Sequence, residues 1–397
     1  MKLIELKKIC DLKNGFAFKS SDYIDKSDTL NCRMSNIRPD GNFDIDYHPK
    51  YLPDSYSEKY QDFLLKDGDI VIAMTDLAND PKILGVPTIV NTKGYNLLLN
   101  QRVGKLVFND INKVDIRYFQ YSLNRKSVRN YYTKFAGGGL QLNIGKKEIL
   151  SVQIPLPPLE QQKKIASILD AADSYRQKTK ALIAKYDELT QSLFLDMFGD
   201  PVKNEKGWEI VKFSNVGKLD RGKSKHRPRN APELLGGTHP LIQTGDVAKS
   251  GGYITDYKTT YSDIGLAQSR LWEAGTLCIT IAANIAKTGI LTFEACFPDS
   301  VVGFTPNIKT NNEYTQKWMS FLQKTLQDSA PESAQKNINL AILKDLNFPL
   351  APITLQNQFA ERVNLIEQQK ASVQASFEKA DELFNSLLQK AFKGGLV

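Results

Sequence analysis

An internal repeat of nearly 200 residues constrains the fold of this chain more than any other sequence feature. Ile154–Leu159 (IPLPPL) aligns with Phe348–Ile353 (FPLAPI) at an offset of 194 residues, and Gly68–Ala73 aligns with Gly275–Thr280 at an offset of 207. This period is much longer than the roughly 20 to 50 residues of a solenoid repeat. The 397-residue chain is therefore predicted to contain two homologous globular domains.

Each copy of the repeat is predicted to end in a long amphipathic helix. Apolar residues recur at spacings of three and four along Ile165–Leu193 and again along Phe359–Ala391. Pro158 suits the first turn of the first helix, and Gly199 and Gly394 follow the two runs. Helices of about 35 residues would each be about 50 Å long. Because their remaining faces are polar, we expect the helices to pair as a coiled coil; the alternative is that each lies on its own domain.

The segments outside the long helices have the pattern of a mixed α/β fold. Short apolar runs bounded by Gly, Asn and Pro predict strands at Asp69–Met74, Val103–Phe108 and Leu277–Ala282. Arg117–Tyr132 and Tyr314–Gln327 have helical patterns.

The net charge of +8 is concentrated in the globular segments. Residues 1–150 hold 23 Lys and Arg against 18 Asp and Glu, and residues 201–350 hold 18 against 14. The helical segments 151–200 and 351–397 carry −1 and 0. This alternation predicts that two basic domains bind duplex DNA, while the nearly neutral helices and the turns that lead into them bind a protein partner.

Composition argues against several other classes of protein. The four cysteines form no C-x-x-C pair and the chain has only three histidines, so neither a disulfide framework nor a metal site is predicted. Reduced, buried thiols are expected instead. No apolar run has the length of a membrane span, and the first residues do not have the pattern of a signal peptide, so a cytoplasmic protein is expected.

Two motif matches point to enzymes, but neither has the required context. Residues 217–224 (GKLDRGKS) match the phosphate loop G-x-x-x-x-G-K-S, yet Pro228 and Pro232 interrupt the helix that should follow. Asp54, Asp80 and Lys82 match a nuclease spacing that Pro81 disrupts. No catalytic residues are predicted. A P-loop nucleotide hydrolase or self-sufficient nuclease is the alternative function, and a scaffold that only dimerises through its helices is a third.

Basic clusters are the candidate DNA contacts, since Lys and Arg neutralise phosphates. In copy two they lie in a predicted loop, at Lys218, Arg221, Lys223, Lys225, Arg227 and Arg229. In copy one they are Arg125, Lys126, Arg129 and Lys134, followed by Gly138, Gly139 and Gln141. Glycine permits close backbone approach, and glutamine can bind adenine through two hydrogen bonds. The alternatives are solvated charges for the cations and a structural turn for the glycines.

Four segments together resemble the specificity subunit of type I restriction-modification enzymes. They are IPLPPLEQQKKIASILDAAD with its long helix, its echo FPLAPITLQNQFAERVNLIE, the opening LKNGFAFKSSDY and the strand KDGDIVIAM. The resemblance covers essentially the whole chain. It implies two target-recognition domains that each read one half of a split, asymmetric DNA sequence, and two helices that form an antiparallel coiled coil and set the spacer.

The resemblance also implies a division of the chain and a set of partners. Residues 1–157 would be the first recognition domain, 158–199 the first spacer helix, 200–352 the second recognition domain and 353–397 the second spacer helix. Catalysis would reside in partner subunits: a modification (methyltransferase) subunit with S-adenosylmethionine, and a restriction (translocase and nuclease) subunit that uses ATP and Mg. This chain would bind no cofactor itself.

The turns that enter the two helices are the predicted docking sites for the modification subunits. The residues assigned to this contact are Pro158, Leu159, Gln161, Pro352 and Gln356. Copy two departs from the family pattern, because it has Ala351 and Thr354 where copy one has Pro157 and Glu160. Only the first turn is therefore a full match.

Overall fold

Contacts between residues divide the chain into two compact units. A computed structural model describes residues 3–226, 228–282, 284–329 and 338–396. One unit comprises Met1–Thr179 with Ser376–Val397, and the other comprises Lys180–Ala375. Each unit contains one globular segment and a part of both long helices. The units therefore differ from the four predicted segments, because each long helix is shared between them.

The first globular segment is built from short strands around three hydrophobic clusters. Its strands are β1 (Leu3–Glu5), β2 (Cys10–Asn14), β3 (Thr29–Cys32), β4 (Tyr51–Leu52), β5 (Leu64–Leu65), β6 (Ile70–Ala73), β7 (Thr75–Leu77), β8 (Pro87–Ile89), β9 (Asn96–Leu99), β10 (Val103–Phe108), β11 (Gln141–Asn143) and β12 (Gln153–Pro155). Its helices are α1 (Ser55–Lys59), α2 (Ile116–Leu123), α3 (Lys126–Phe135) and α4 (Lys146–Leu150), and α5 (Leu159–Phe198) follows.

The second globular segment has the same kind of construction. Its strands are β13 (Glu209–Lys212), β14 (Gly217–Arg221), β15 (Leu235–Leu241), β16 (Tyr253–Ile254), β17 (Thr259–Tyr261), β18 (Leu271–Trp272), β19 (Leu277–Thr280), β20 (Thr288–Leu291), β21 (Ala295–Cys296), β22 (Val301–Pro306) and β23 (Asn347–Leu350). Its helices are α6 (Thr244–Lys249), α7 (Asp263–Ala267), α8 (Asn312–Ser329) and α9 (Leu340–Asp345), and α10 (Ile353–Lys393) follows.

Sheet topology confirms that the two segments are copies of one fold. The first has a sheet of order β2-β10-β6-β8, and the second has the order β14-β22-β19-β20 with β16 added at the edge. In each copy the first strand pairs with the strand that precedes the long helix, β1 with β12 and β13 with β23. The chain therefore returns to its starting edge just before each long helix begins.

The predicted elements are largely present, with one clear difference. The strand predicted at Val103–Phe108 is β10, whereas the helix predicted at Arg117–Tyr132 is two helices, α2 and α3. The break falls at Arg125, whose backbone is extended and whose Nε donates to the carbonyl of Ser122 at 2.8 Å. This bond satisfies a carbonyl of the last turn of α2, which would otherwise lack a partner.

The long helices exceed the predicted length, with 40 residues in α5 and 41 in α10. In the first unit, Arg176 of α5 bonds to Asp381 of α10 at 3.0 Å and to Asp173 at 2.6 Å. In the second unit, Lys370 of α10 pairs with Asp187 of α5 and with Glu367. Asp187 lies eleven residues after Arg176, and Lys370 lies eleven before Asp381.

The two helices therefore pair in antiparallel orientation within each unit. Both interhelical cations are mostly buried, whereas their partners Asp381 and Asp187 are more exposed. The predicted fold class is confirmed: two homologous mixed α/β domains and two long helices that form an antiparallel pair.

A buried glutamine fixes the start of each long helix. The Nε2 of Gln162 donates to the carbonyls of Pro157 at 2.8 Å and Lys113 at 3.0 Å, and its Oε1 accepts from the N–H of Asp115 at 3.0 Å. One amide thus joins the helix, the turn before it and the loop that leads into α2.

Gln356 makes the same three contacts in the second copy. It donates to the carbonyls of Ala351 at 2.8 Å and Lys309 at 3.1 Å, and it accepts from the N–H of Asn311 at 3.2 Å. Thr310 also donates to it, at 2.8 Å. We refer to Gln162 and Gln356 with these contacts as the helix-start anchors.

A buried tyrosine closes the same corner of each domain against the end of the other long helix. Tyr118 donates to the carbonyl of Pro155 at 2.9 Å, and its ring lies 5.3 Å from that of Phe392 in α10. Its counterpart Tyr314 donates to Pro349 and lies 4.7 Å from Phe198 in α5. Each domain is thus packed against the start of one long helix and the end of the other.

The cysteines behave as expected from their spacing. All four are free and buried, and burial raises the pKa of the Cys10 and Cys32 thiols to about 12. These thiols are therefore neutral and unreactive at physiological pH. Within the described residues, no helix combines the length and the apolar character that crossing a membrane requires.

Replacing Gln356 with leucine is expected to destabilise the second unit. The substitution leaves the N–H of Asn311 and two carbonyls buried without partners, which should lower the free energy of unfolding by about 3 kcal/mol. All three tryptophans of the chain (Trp208, Trp272 and Trp318) lie in this unit, so denaturation followed by tryptophan fluorescence reports on it selectively.

Gln358→Leu is the matched control, because Gln358 is exposed on the same helix. It should change the unfolding free energy by less than about 0.5 kcal/mol. Equal effects of the two substitutions would contradict the anchoring role of Gln356.

Candidate nucleic-acid interface

The basic segment of copy two begins on a strand, which corrects the predicted loop. Gly217–Arg221 forms β14, the edge strand of its sheet, and pairs antiparallel with β22 from Gly217 opposite Pro306 to Arg221 opposite Val302. Residues 222–226 have an irregular backbone. The phosphate-loop match therefore lies largely on a strand, and no helix starts at its Lys-Ser end. A phosphate loop instead requires a helix that begins at its Lys-Ser end, because the N–H groups of that helix bind the phosphate.

Three of the predicted cations in this segment are held by neighbouring groups. Lys218 pairs with Asp220 at 3.1 Å, and the Nε of Arg221 donates to the carbonyl of Asp299 at 3.1 Å. Arg229 forms an ion pair with the carboxylate of Asp299. Their charges are partly satisfied within the domain.

Lys223 and Lys225 are the cations that the structure leaves available. Both are exposed and flank the buried Ser224, and neither ammonium group has a carboxylate within 4 Å among the described residues. Their backbone is fixed, because the N–H of Lys223 donates to Phe297 at 3.1 Å and the N–H of Lys225 donates to Gln268 at 2.5 Å. Two cations on a fixed backbone suit contacts with successive phosphates. Arg227 lies outside the described residues.

The candidate cations of copy one lie on or just before α3 and differ in their surroundings. Lys126 and Lys134 are exposed, whereas Arg125 and Arg129 are half-buried. Arg125 lies over the ring of Phe392, 4.8 Å from its centroid, and Arg129 donates to the carbonyl of Lys82. Lys126 and Lys134 are thus accessible on the surface, whereas Arg125 and Arg129 are held by contacts with other residues.

The glycine segment of copy one is the tip of a hairpin. Gly137 and Asn143 exchange backbone hydrogen bonds of 3.1 and 2.9 Å, and β11 pairs with β7. Gly138 has φ of +135°, and a Cβ there would lie 1.9 Å from the carbonyl oxygen of Gln141, so only glycine fits. Gly139 is exposed beside Leu140, whose side chain is 91% exposed. The hairpin holds Gln141 on an ordered strand.

The turns predicted to dock partner subunits are only partly accessible. Pro158 and Pro352 are exposed, and Leu159 and Gln161 are half-buried. Gln356 is fully buried and its amide is occupied by the helix-start anchor. Its assignment to partner binding is therefore corrected to a structural role.

Sequence reasoning did not identify Gln162, Tyr118 and Tyr314. The signal was present, because the offset of 194 aligns Gln162 with Gln356, and an offset of 196 aligns Tyr118 with Tyr314. Identical polar residues at matching positions in diverged copies indicate a shared structural role.

Across the described ranges, no three His, Cys, Asp or Glu side chains come together as a metal site would require. Asp54, part of the nuclease spacing, accepts hydrogen bonds from the hydroxyl of Thr29 at 2.8 Å and the N–H of Asp28 at 3.1 Å. Its carboxylate has a structural role in the first domain.

Comparison with known proteins agrees with this architecture. The family described as "Type I restriction modification DNA specificity domain" matches residues 1–186 and 205–375. The chain is 30% identical over 200 residues to the specificity subunit of the type I restriction enzyme MjaVIII from Methanocaldococcus jannaschii, a match that covers 49% of this chain and 45% of that protein. It is 24% identical over 405 residues to the putative MjaX specificity subunit of the same organism, covering 97% and 91%.

A solved structure shows the same fold. The S subunit of a type I restriction-modification system from M. genitalium superposes with a TM-score of 0.59 at 14% identity, covering 98% of this chain and 96% of that one. Both globular segments are thus DNA specificity domains of the type I class. The chain belongs to the family of type I restriction-modification specificity subunits.

Gly138→Ala is expected to open the hairpin of the first domain. The residue would need a backbone conformation that costs about 2 kcal/mol for an L-residue, in addition to the clash with Gln141. Amide hydrogen exchange should accelerate at Gly137 and Asn143, whose N–H groups close the hairpin.

Gly139→Ala is the matched control, because a Cβ there has no atom within 4 Å and its φ is not positive. Its exchange pattern should remain that of the unchanged protein. If Gly138→Ala left the exchange rates of Gly137 and Asn143 unchanged, the strain assigned to Gly138 would be wrong.

Proposed function

We propose that each domain of this specificity subunit binds one half of an asymmetric, bipartite duplex DNA target and that the paired helices set the spacer between the halves. The observation that carries the proposal is the combination of an identical framework with different surfaces. Both domains meet the long helices through the same glutamine and tyrosine contacts. Their basic surfaces lie on different elements, since copy one uses α3 and copy two uses the segment after β14.

A protein whose two domains read DNA independently requires this combination of a shared framework and different surfaces. Base specificity comes from side chains at the DNA surface, so two domains with different surfaces read different sequences. A shared framework lets either surface change without altering how its domain is attached to the helices. The family membership and the net charge of the two domains support the same conclusion.

The proposal assigns catalysis to partner subunits. The chain would act in the cytoplasm with modification subunits that carry S-adenosylmethionine and a restriction subunit that uses ATP and Mg, and would bind no cofactor for the reaction. The exposed Pro158 and Pro352, with Leu159 and Gln161 beside the first, remain the surfaces proposed for the modification subunits.

Exchange of one domain tests the modular reading. Replacing residues 1–150 by those of a relative that retains a tyrosine at the position of Tyr118 should change one half of the methylated sequence and leave the other half unchanged. Sequencing of methylated bases in cells that express the hybrid subunit with its partners measures the result.

The reciprocal exchange of residues 201–350 serves as the control and should change only the other half. A hybrid in which both halves change, or neither, would show that the domains do not read DNA independently.

Salt dependence of DNA binding tests the phosphate contacts of the second domain. Lys223→Ala and Lys225→Ala should each lower the magnitude of the slope of log affinity against log salt by about 1, because each removes one phosphate contact. Affinity is measured on duplex DNA that carries the methylated motif, from low to physiological salt.

Lys218→Ala is the matched control, since Asp220 already neutralises that ammonium group within the domain. Its effect on the slope should be well below 1. Unchanged slopes for Lys223→Ala and Lys225→Ala would remove these lysines from the interface.

A further inference from the structure

The first unit contains a cationic cleft of about 750 Å³ between one side of α3 and the last turns of α10. Four of the residues that line it are basic, namely Arg125, Lys126, Arg129 and Lys393, and none of its lining residues is acidic. Asn130, Asn385 and Gln389 add amide groups. A concave surface of this size falls in the range of small-ligand sites, roughly 300 to 1,000 Å³.

The positive charges of the two arginines in the cleft are poorly compensated by nearby carboxylates. Burial lowers the pKa of both the Arg125 and the Arg129 guanidinium groups. Within the described ranges neither has a carboxylate within 4 Å, although Asp76 acts on Arg129 through space. Each has one N–H accounted for, to the carbonyl of Ser122 or of Lys82. Since a guanidinium has five N–H donors, both retain groups for an anion.

The second copy shows that the fold does not need these cations. The positions that correspond to Arg125 and Lys126 are Phe321 and Leu322, and the position of Lys393 corresponds to Gly199. The ring of Phe321 lies 5.3 Å from that of Phe194, and this partly buried side chain packs against the apolar core of its unit. The same corner is therefore filled by aromatic side chains in one domain and is open and basic in the other.

We propose that this cleft binds a small phosphate-bearing anion, a nucleoside di- or triphosphate. Arginine forks and lysine ammonium groups are the side chains that bind phosphate oxygens most strongly. The amides supply donors and acceptors for a sugar or a base. The cleft shares Arg125, Lys126 and Arg129 with the basic surface proposed to contact DNA, and it adds Lys393 of the long helix.

Isothermal titration of the purified full-length chain with ATP and with inorganic triphosphate, at low salt and without metal, tests the proposal. One saturable site per chain is expected for both ligands. The double variant Lys126→Gln, Lys393→Gln should weaken binding by at least about tenfold, because it removes two charged contacts from exposed positions. Arg125→Phe, which copies the second domain, should have a comparable effect.

Lys134→Gln is the matched control, since Lys134 is exposed on the same helix but does not line the cleft. It should leave the affinity unchanged. Thermal unfolding of every variant checks that the fold is retained. Absence of saturable binding, or equal affinity in the double variant, would overturn the proposal.

Binding of duplex DNA to the same variants is the second measurement of the experiment. If the double variant weakened only DNA binding and neither small anion bound, the cleft would belong to the DNA interface and the nucleotide site would be refuted. If the domain exchange failed, the proposed function would be contradicted, but the result of the nucleotide titration would be unaffected.

Discussion

The whole architecture depends on one buried amide at the start of each long helix. Gln162 and Gln356 each lie in the first turn of a long helix and satisfy three backbone groups. One group is in the turn before that helix, and two are in the loop ahead of α2 or α8. Backbone groups of a turn and a loop that pack against a helix need such partners where they cannot reach water. The contact therefore sets the angle at which each domain meets its helix, and every exposed surface of the domain is positioned through it.

The helix pair adds a second constraint, since an interhelical cation occupies matching positions in the two units. Arg176 and Lys370 differ in chemistry, yet each is held by one carboxylate on its own helix and one on the other helix. A shift of either helix by one turn would separate a mostly buried charge from its partner, which is costly. The charges thus specify one register for the antiparallel pair, and the apolar stripes supply the packing.

Sequence patterns anticipated the parts of the molecule that depend on local chemistry. The repeat, the long helices and strands such as β10 follow from spacing and composition alone. The positions of the basic residues relative to their neighbours in the fold cannot be derived from spacing and composition. Lys218 and Arg221 were predicted in a loop and lie on an edge strand, and Gln356 was predicted at a docking surface and is buried. In both cases the deciding contacts join segments that are distant in the chain, which periodicity cannot locate. They are the pairing of β14 with β22 and the bonds of Gln356 to Lys309 and Asn311.

The sequence by itself therefore determined that this chain contains two related basic domains and two neutral helices, because repeat, charge and amphipathic period are properties of the order of residues. Only the tertiary structure decided which cations are available. Arg229 is paired with Asp299 while Lys223 is not. Arg125 lies over the ring of Phe392, while its counterpart Phe321 packs against an apolar core. The physical reason is that charge acts through space: Asp299 lies 70 residues after Arg229 in the chain, and only folding brings the two groups together.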